Sequence, residues 1–138
     1  DYHVKQAALS HHERCDGSGY PLGLKTNEID DHAMIISIAD VYDAMTSARK
    51  YRTPLCPFEV IAEFEKDGLS KYKPQYILTF LEHIANAYQN NRILLNDGRS
   101  ANIILLNSNH LSSPRIQLDD VTCLDLYREP NLYIKSVV

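Results

Sequence analysis

The sequence contains few cysteines, and they form no recognisable pattern. Cys15, Cys56 and Cys123 are odd in number, widely spaced and include no CxxC pair. Disulfide-stapled domains need an even set of cysteines, and zinc ribbons need CxxC pairs. The sequence therefore argues against both kinds of protein, and we expect a reduced, cytoplasmic setting.

Long apolar runs and a surplus of basic residues are also missing. No apolar run approaches the roughly 20 residues that span a bilayer, and the first residues lack the basic-then-apolar layout of a signal peptide. The 14 Lys and Arg against 18 Asp and Glu give a net charge of -4, whereas long nucleic acid attracts broad positive fields. We therefore expect no membrane contact from this segment and no long nucleic acid as a partner. A small phosphate-containing ligand is still compatible with the local basic cluster at residues 49–52.

Helical patterns occupy the first two thirds of the chain. With 138 residues and 44% hydrophobic content, the chain can bury the core of one ordinary domain. Helix formers and apolar spacings of three and four in residues 2–13 predict a first helix that ends near Arg14. A second helix is predicted from Asp30 to Ser47, with Asp30 or Asp31 as its N-terminal cap. The apolar stripe predicted for this second helix comprises Ile35, Ile38, Ala39, Tyr42 and Met45.

Two further helices and a series of short strands are predicted next. Pro57 opens a third helix that Gly68 ends, and Pro74 opens a fourth that runs to about Asn90. Short apolar runs separated by turn residues follow at 93–95, 103–106, 115–118, 122–126 and 133–138. The predicted fold class is therefore α+β: a mainly α-helical domain over residues 1–91, followed by a small antiparallel β module over residues 92–138.

Two motifs carry the chemistry. The first, HHERCDGSGYP (11–21), combines adjacent imidazoles with acids and a glycine-rich turn; the second, IADVYDAMTSARKYR (38–52), places Asp40 on a helix before Arg49 and Arg52. Consecutive helical residues project about 100° apart, so His11 and His12 would serve two neighbouring ions more easily than one. Such a binuclear centre, with Asp40 as a bridging or terminal carboxylate, is typical of metal-dependent phosphoester hydrolysis. Imidazole and carboxylate ligands suit iron, manganese, nickel or zinc.

Simpler interpretations exist for both motifs. A His-His dipeptide in a helix is more often an ordinary surface or core feature than a ligand pair. Arg49, Lys50 and Arg52 could be only a solvated basic helix end favoured by the helix dipole.

Together the two motifs resemble the HD-GYP phosphodiesterases. The matching residues are His11, His12, Glu13, Asp16, Gly17, Gly19, Tyr20, Pro21, Asp40 and Asp43. The resemblance implies the C-terminal part of an HD-GYP domain from a bacterial signal-transduction hydrolase, which acts on cyclic di-GMP and uses two or more divalent ions, with iron or manganese favoured. No His-Asp dipeptide occurs in this sequence, so we expect the family's name-giving ligands upstream. We also expect this chain alone to be inactive or nearly so, and it need not retain an ion.

The resemblance and the local chemistry assign roles to the remaining motif residues. His11, His12 and Asp40 are the expected metal ligands, and Asp40 is also the expected catalytic residue. Arg49 and Arg52 are expected phosphate contacts, because a guanidinium can hold two phosphate oxygens at once.

The residues of the glycine-rich loop are expected to be mainly architectural. Glu13 would hold a histidine ring N–H, and Asp16 would bind backbone amides of the loop. Gly17 and Gly19 would permit a tight return toward the first helix. The last two residues of the motif are Tyr20, which would pack or contact the ligand, and Pro21, which would stiffen the loop exit.

Two alternatives and one departure from the family pattern accompany this interpretation. The alternatives are a non-catalytic module that binds cyclic di-GMP or a signalling partner, and a homodimer formed through the β tail or the helix over residues 77–88. Self-association through an exposed apolar surface would also give an oligomer in solution. The departure is Lys73, which stands where many members have Asp; this position is expected to cap the fourth helix and to affect stability.

Overall fold

The computed structural model describes residues 1–138, and its first two thirds are helical. The helices are α1 (Tyr2–Ser10), α2 (Asp31–Thr46), α3 (Pro57–Lys71) and α4 (Pro74–Ala87). The strands are β1 (Arg92–Leu95), β2 (Ser100–Leu105), β3 (Arg115–Leu118), β4 (Cys123–Asp125) and β5 (Ile134–Val137). Short 3-10 turns lie at Thr26–Glu28 and Leu126–Arg128.

The five strands form one antiparallel sheet in the order β4-β3-β2-β1-β5. The first hairpin turns at Gly98, whose φ of +90° lies in the left-handed region that glycine adopts without steric cost. Alternate residues of the central strands are buried on one face, including Ile93 and Ile103, as expected for a sheet with one covered face. The predicted α+β class, mainly helical with an antiparallel sheet at the end, is confirmed.

The hydrophobic core is continuous from the helices into the sheet. Met34 of α2, Phe58 of α3, Ile103 of β2 and Ile134 of β5 belong to the same buried cluster. The predicted division after residue 91 stays a prediction.

Helices α1 and α2 run side by side in the same direction. At one end, Nδ1 of His3 lies 2.9 Å from a carboxylate oxygen of Asp30, the residue that caps α2. Toward the other end, the Arg14 guanidinium donates to the hydroxyl of Ser37 at 2.8 Å. The residues that follow α1 are therefore brought alongside the second half of α2.

Several predicted boundaries differ from the structure. Helix α1 ends at Ser10 rather than near Arg14. Gly68 lies inside α3 instead of ending it, and it is buried beside Phe64 and Ile77. Helix α4 ends at Ala87, three residues before the predicted Asn90. The strands lie where they were predicted, except that β2 begins at Ser100.

The buried face of α2 is rotated relative to the predicted stripe. Ala33, Met34 and Ile38 are fully buried, whereas Ile35 is 49% exposed and Ala39 is also exposed. The prediction was wrong for Ile35 and Ala39. The stripe that faces α1 and α3 includes Ser37, and a polar residue is not assigned to a core from sequence pattern alone. No helix of this structure combines the length and apolar character required for a membrane crossing.

Candidate metal centre

Three metal-ligating side chains converge where α1 ends beside α2. His11, His12 and Asp40 each offer one ligand-type atom, and these atoms all lie within 4.8 Å of one another. Bonds of about 2.1 Å to one ion place its ligands at most about 4.2 Å apart. The observed spread therefore accommodates one ion after a small closure or two adjacent ions. His11 and His12 both lie beyond the regular helix, and the expectation that they serve two neighbouring ions more easily than one stays a prediction.

The ring of His11 is oriented by the end of α1. Its Nδ1 lies 3.0 Å from the carbonyl oxygen of Ala7 and 3.1 Å from that of Ala8. Carbonyl oxygens only accept hydrogen bonds, so Nδ1 carries the proton. The Ala7 carbonyl also accepts the backbone N–H of His11, whereas the Ala8 carbonyl is one that the helix end leaves without a backbone donor. In the neutral ring, Nε2 is therefore the unprotonated nitrogen that is free to bind a metal ion.

The ring of His12 lies between His11 and Tyr20. Its centroid is 4.0 Å from that of His11 and 4.7 Å from that of Tyr20, on which it stacks at 17°. The backbone N–H of Tyr20 also donates to the His12 carbonyl at 3.2 Å. Tyr20 is 61% exposed, so its ring supports His12 and remains accessible at the edge of the cluster.

The glycine-rich loop returns against the histidine turn, as predicted. A Cβ on Gly19 would lie 2.4 Å from the carbonyl oxygen of His12 and 2.5 Å from the backbone nitrogen of Arg14. Gly17 has a φ of +82°, a conformation that is unfavourable for residues with a Cβ atom. Only glycine at residue 19 allows the two backbone segments this approach.

Asp16 and Pro21 complete the loop. Asp16 accepts hydrogen bonds from the hydroxyl and the backbone N–H of Ser18, and these bonds lower the pKa of its carboxyl. The predicted contact between Asp16 and loop amides is therefore present. Pro21 follows a cis peptide bond with Tyr20.

Glu13 has a different role from the predicted one. Its fully buried carboxylate accepts the backbone N–H of Leu22 at 2.6 Å and that of Leu24 at 2.9 Å. It makes no hydrogen bond to a histidine ring. The prediction that Glu13 fixes an imidazole was wrong; this carboxylate anchors the segment that leaves the loop.

Arg14 is a residue whose role sequence reasoning missed. Its guanidinium donates to the carbonyls of His11 and Glu13 at 3.2 and 2.9 Å and to the Ser37 hydroxyl at 2.8 Å. It also lies 5.3 Å from the ring centroid of Tyr72, within the range of a cation–π contact. Arg14 thus holds the histidine turn to α2 one helical turn before Asp40. The only signal in the sequence was a basic residue beside the histidine pair.

Asp40 is exposed, although it was predicted to point partly inward. Its position follows from the rotated face of α2, where Ser37 and Ile38 take the buried positions. No hydrogen bond or ion pair engages its carboxylate, whereas Asp43 on the same helix accepts from the Ser47 hydroxyl at 3.1 Å. Asp40 is therefore available as a ligand, and Asp43 is structural, as expected.

Arg49 and Arg52 lie after α2, in a tight turn rather than on the helix. Each backbone N–H donates to the carbonyl of the other residue, at 3.3 and 3.2 Å. Residues paired directly across an antiparallel bridge project their side chains to the same face. Both arginines are exposed and neither forms an ion pair. The six residues from Asp40 to Thr46 advance about 9 Å along α2, and the basic turn follows that end of the helix.

The donor set fits a divalent transition metal ion. Two imidazoles and a carboxylate bind such ions in preference to Mg²⁺ or Ca²⁺. The Nδ1 contacts of His11 leave its Nε2 as the free donor. Three protein atoms leave further coordination positions for water or substrate, which is typical of catalytic rather than structural metal sites.

Comparison with known proteins gives the class of this site. Residues 2–76 match the protein family described as HD domain. The chain is 44% identical over 77 residues to a cyclic di-GMP phosphodiesterase of Thermotoga maritima, a match covering 56% of this chain and 21% of that relative. It is 32% identical over 116 residues to a cyclic di-GMP phosphodiesterase of Pseudomonas aeruginosa, covering 83% and 28%. It is 54% identical over 58 residues to 3'3'-cGAMP-specific phosphodiesterase 1 of Vibrio cholerae, covering 42% and 14%.

The chain therefore belongs to the HD domain family. The resemblance to the HD-GYP phosphodiesterases is confirmed by these relatives. Dependence on divalent metal ions is a general property of the family. The chain spans about a fifth of the length of the Thermotoga relative. Which of its residues bind metal or substrate stays a prediction.

Proposed function

We propose that this chain provides part of the metal centre and part of the phosphate-binding surface of a cyclic di-GMP phosphodiesterase. The proposal is carried by one observation: His11 and His12 follow α1 and Asp40 lies on α2, yet their ligand atoms lie within 4.8 Å of one another. The names of the relatives support cyclic di-GMP as the substrate class. The relative named as specific for 3'3'-cGAMP makes that dinucleotide the natural competitor in a test.

The residues of this chain divide the work in the proposed reaction. When bound, a divalent ion supplies an activated water and neutralises charge on a phosphoryl oxygen. His11 and His12 would bind metal from the end of α1, and Asp40 would bind it from α2. Iron or manganese is the proposed metal, because the resemblance to the HD-GYP phosphodiesterases favours these two among the ions that imidazole and carboxylate ligands suit.

The basic turn is the proposed substrate contact. Arg49 and Arg52 present two unpaired guanidiniums on one face, which suits the two phosphates of a cyclic dinucleotide. They would orient the phosphate for in-line attack and stabilise the charge that develops on its oxygens. Tyr20 is proposed to line the ligand side of His12.

The setting and the isolated activity are part of the same proposal. Cys15, Cys56 and Cys123 are all free thiols, which agrees with a reduced cytoplasmic compartment. With only three protein ligands between them, two ions would lack a full coordination shell. We therefore expect the 138-residue chain to bind substrate without appreciable turnover. Exposed apolar side chains on α1 and α2, among them Val4 and Ile35, support the proposal that it self-associates.

The test is cyclic di-GMP binding to the purified chain by calorimetry in the presence of Mn²⁺, with product analysis by chromatography. The Arg49→Ala/Arg52→Ala variant should bind at least about tenfold more weakly, since charge-assisted contacts of about 1.5–3 kcal/mol are removed. Arg128→Ala is the matched control, because its side chain is 83% exposed and lies after β4. Equal binding by both variants would overturn the proposed phosphate contact. Steady hydrolysis by the isolated chain would overturn the expectation that its ligand set is insufficient.

A further inference from the structure

A second cluster of metal-ligating side chains lies at the opposite end of the α1 and α2 pair. His3 comes from the first turn of α1, Asp30 caps α2, and His32 lies in the first turn of α2. One ligand-type atom of each residue lies within 4.8 Å of the other two. The ten residues from Asp30 to Asp40 advance about 15 Å along α2, so this cluster is separate from the histidine turn.

The two distances between a histidine nitrogen and the Asp30 carboxylate are close to those between ligands around one ion. Nδ1 of His3 lies 2.9 Å from one carboxylate oxygen of Asp30, and Nδ1 of His32 lies 3.5 Å from the other. Two ligands at about 2.1 Å from an ion, at octahedral or tetrahedral angles, are roughly 3.0–3.4 Å apart. Replacing the proton between an imidazole and the carboxylate by an ion therefore requires little movement.

The surroundings of the cluster favour a cation. The ring centroids of His3 and His32 are 4.3 Å apart, so two protonated rings would repel each other, whereas two neutral rings can share an ion. The Asp30 side chain is only 12% exposed and also caps α2 through the backbone N–H groups of His32 and Ala33. Burial raises the pKa of this carboxyl, but the hydrogen bonds from His3 and these amides outweigh burial and hold it below its ordinary value of 3.8.

We propose that His3, Asp30 and His32 form a surface site for a divalent transition metal ion such as Zn²⁺. Two imidazoles and one carboxylate favour the later first-row ions over Ca²⁺ and Mg²⁺. The histidine side chains are 53% and 61% exposed, so water completes the coordination shell and ions enter directly from solvent. A bound ion links α1 to α2 and stabilises the pairing on which the distance between His11 and Asp40 depends.

The experiment is a Zn²⁺ titration of the untagged chain by calorimetry, with thermal unfolding measured in parallel. The variant is His3→Ala/His32→Ala, the matched control is His83→Ala, an exposed histidine on α4, and His11→Ala/His12→Ala reports on the other cluster. We expect the first variant to bind one ion fewer per chain and to lose part of the Zn²⁺-induced rise in melting temperature. Asp30→Asn retains a capping side chain while removing the charge, and it should weaken the same site.

The outcomes separate this site from the proposed phosphodiesterase centre. Unchanged Zn²⁺ stoichiometry and affinity in both His3→Ala/His32→Ala and Asp30→Asn would overturn the second site. Loss of binding only in His11→Ala/His12→Ala would also overturn it, but would support the proposed centre at His11, His12 and Asp40. Loss of one ion in the His3→Ala/His32→Ala variant, with no loss in the His11→Ala/His12→Ala variant, would support the second site and contradict the first. Circular dichroism of each variant checks that α1 and α2 are retained.

Discussion

The Arg14 guanidinium and the Ser37 hydroxyl, 2.8 Å apart, connect the histidine turn to the helix that carries Asp40. Ser37 is only 1% exposed, so this is a buried polar contact between two segments that are 23 residues apart in sequence. Breaking a contact of this kind leaves polar groups without partners. The relative position of His11 and Asp40 therefore depends on Arg14, although Arg14 itself is not a candidate ligand.

Replacing Arg14 by alanine should weaken metal binding at the candidate centre. We expect a loss of about tenfold in Mn²⁺ affinity, the lower end of the range for residues that position ligands. The Mn²⁺ affinity of Arg14→Lys should lie between those of the unchanged protein and Arg14→Ala. Lysine keeps the charge but loses the planar guanidinium that spans several acceptors. Arg92→Ala is the control, since Arg92 pairs with Asp119 at the sheet. Equal affinities for Arg14→Ala and Arg92→Ala would exclude the positioning role.

Gly19→Ala should destabilise the protein and disturb His12. Its Cβ would meet backbone atoms 2.4–2.5 Å away, and backbone cannot move aside as a flexible side chain can. We expect a loss of about 3 kcal/mol or more in the free energy of unfolding. Gly98→Ala is matched, because Gly98 has a positive φ and open space around it; it should lose only about 1–2 kcal/mol. Denaturant unfolding of both variants gives the comparison, and equal losses would refute the close approach.

The pair formed by Lys73 and Asp31 should stabilise the protein only within a defined pH window. The hydrogen bond between them lowers the pKa of Asp31 from 3.8 and raises that of Lys73 from 10.5. The Asp31 contribution is present above pH 3.8 and is lost as the pH falls through its lower folded value. The Lys73 contribution is present below pH 10.5 and is lost as the pH rises through its higher folded value.

Lys73→Met measures this contribution. Because the Asp31 side chain is 53% exposed, we expect a difference of at most about 1 kcal/mol near neutral pH. The difference should shrink at both ends of the window when unfolding is followed across pH. Lys66→Met is the control, as both side chains of the Lys66 and Glu63 pair are at least 50% exposed, and it should have a smaller effect. A pH-independent difference for Lys73→Met would contradict the linkage.

A chain ending at residue 91 should lose stability, although the sequence predicts a domain boundary there. Phe58 and Ile134 share one buried cluster across that boundary, and each large apolar side chain contributes about 1.5–3 kcal/mol when buried. The linker also pairs with β2, through hydrogen bonds between Asn90, Asn91 and Ile103. We expect a less cooperative thermal transition for residues 1–91. An unchanged transition would show that the two parts are independent.

The convergence of His11, His12 and Asp40 could be anticipated from sequence because two local motifs carried it. The end of α1 could not. His11, His12 and Glu13 are tolerated in helices. Their carbonyls, however, accept hydrogen bonds from the Arg14 side chain and from the amide of Tyr20, which the loop brings back, instead of from helical amides. Contacts of this kind depend on how the loop returns, which no local pattern records.

The errors at Gly68 and Ser37 have a similar origin. Glycine weakens a helix, so Gly68 was interpreted as a stop, yet the packing of Phe64 and Ile77 around it outweighs that preference. Ser37 was left out of the core because its partner, Arg14, comes from another segment. Local propensity predicted the elements well and failed where tertiary contacts decide.

The most direct test of the central claim is an Mn²⁺ titration, followed by electron paramagnetic resonance, in a His3→Ala/His32→Ala background that leaves one cluster. Asp40→Ala should lose at least about tenfold in affinity, since one of three protein ligands is removed. Asp43→Ala, on the same helix and bonded only to Ser47, should bind Mn²⁺ as tightly as the background. Indistinguishable affinities for Asp40→Ala, Asp43→Ala and the background would contradict the claim that the histidine turn and α2 together bind a metal ion.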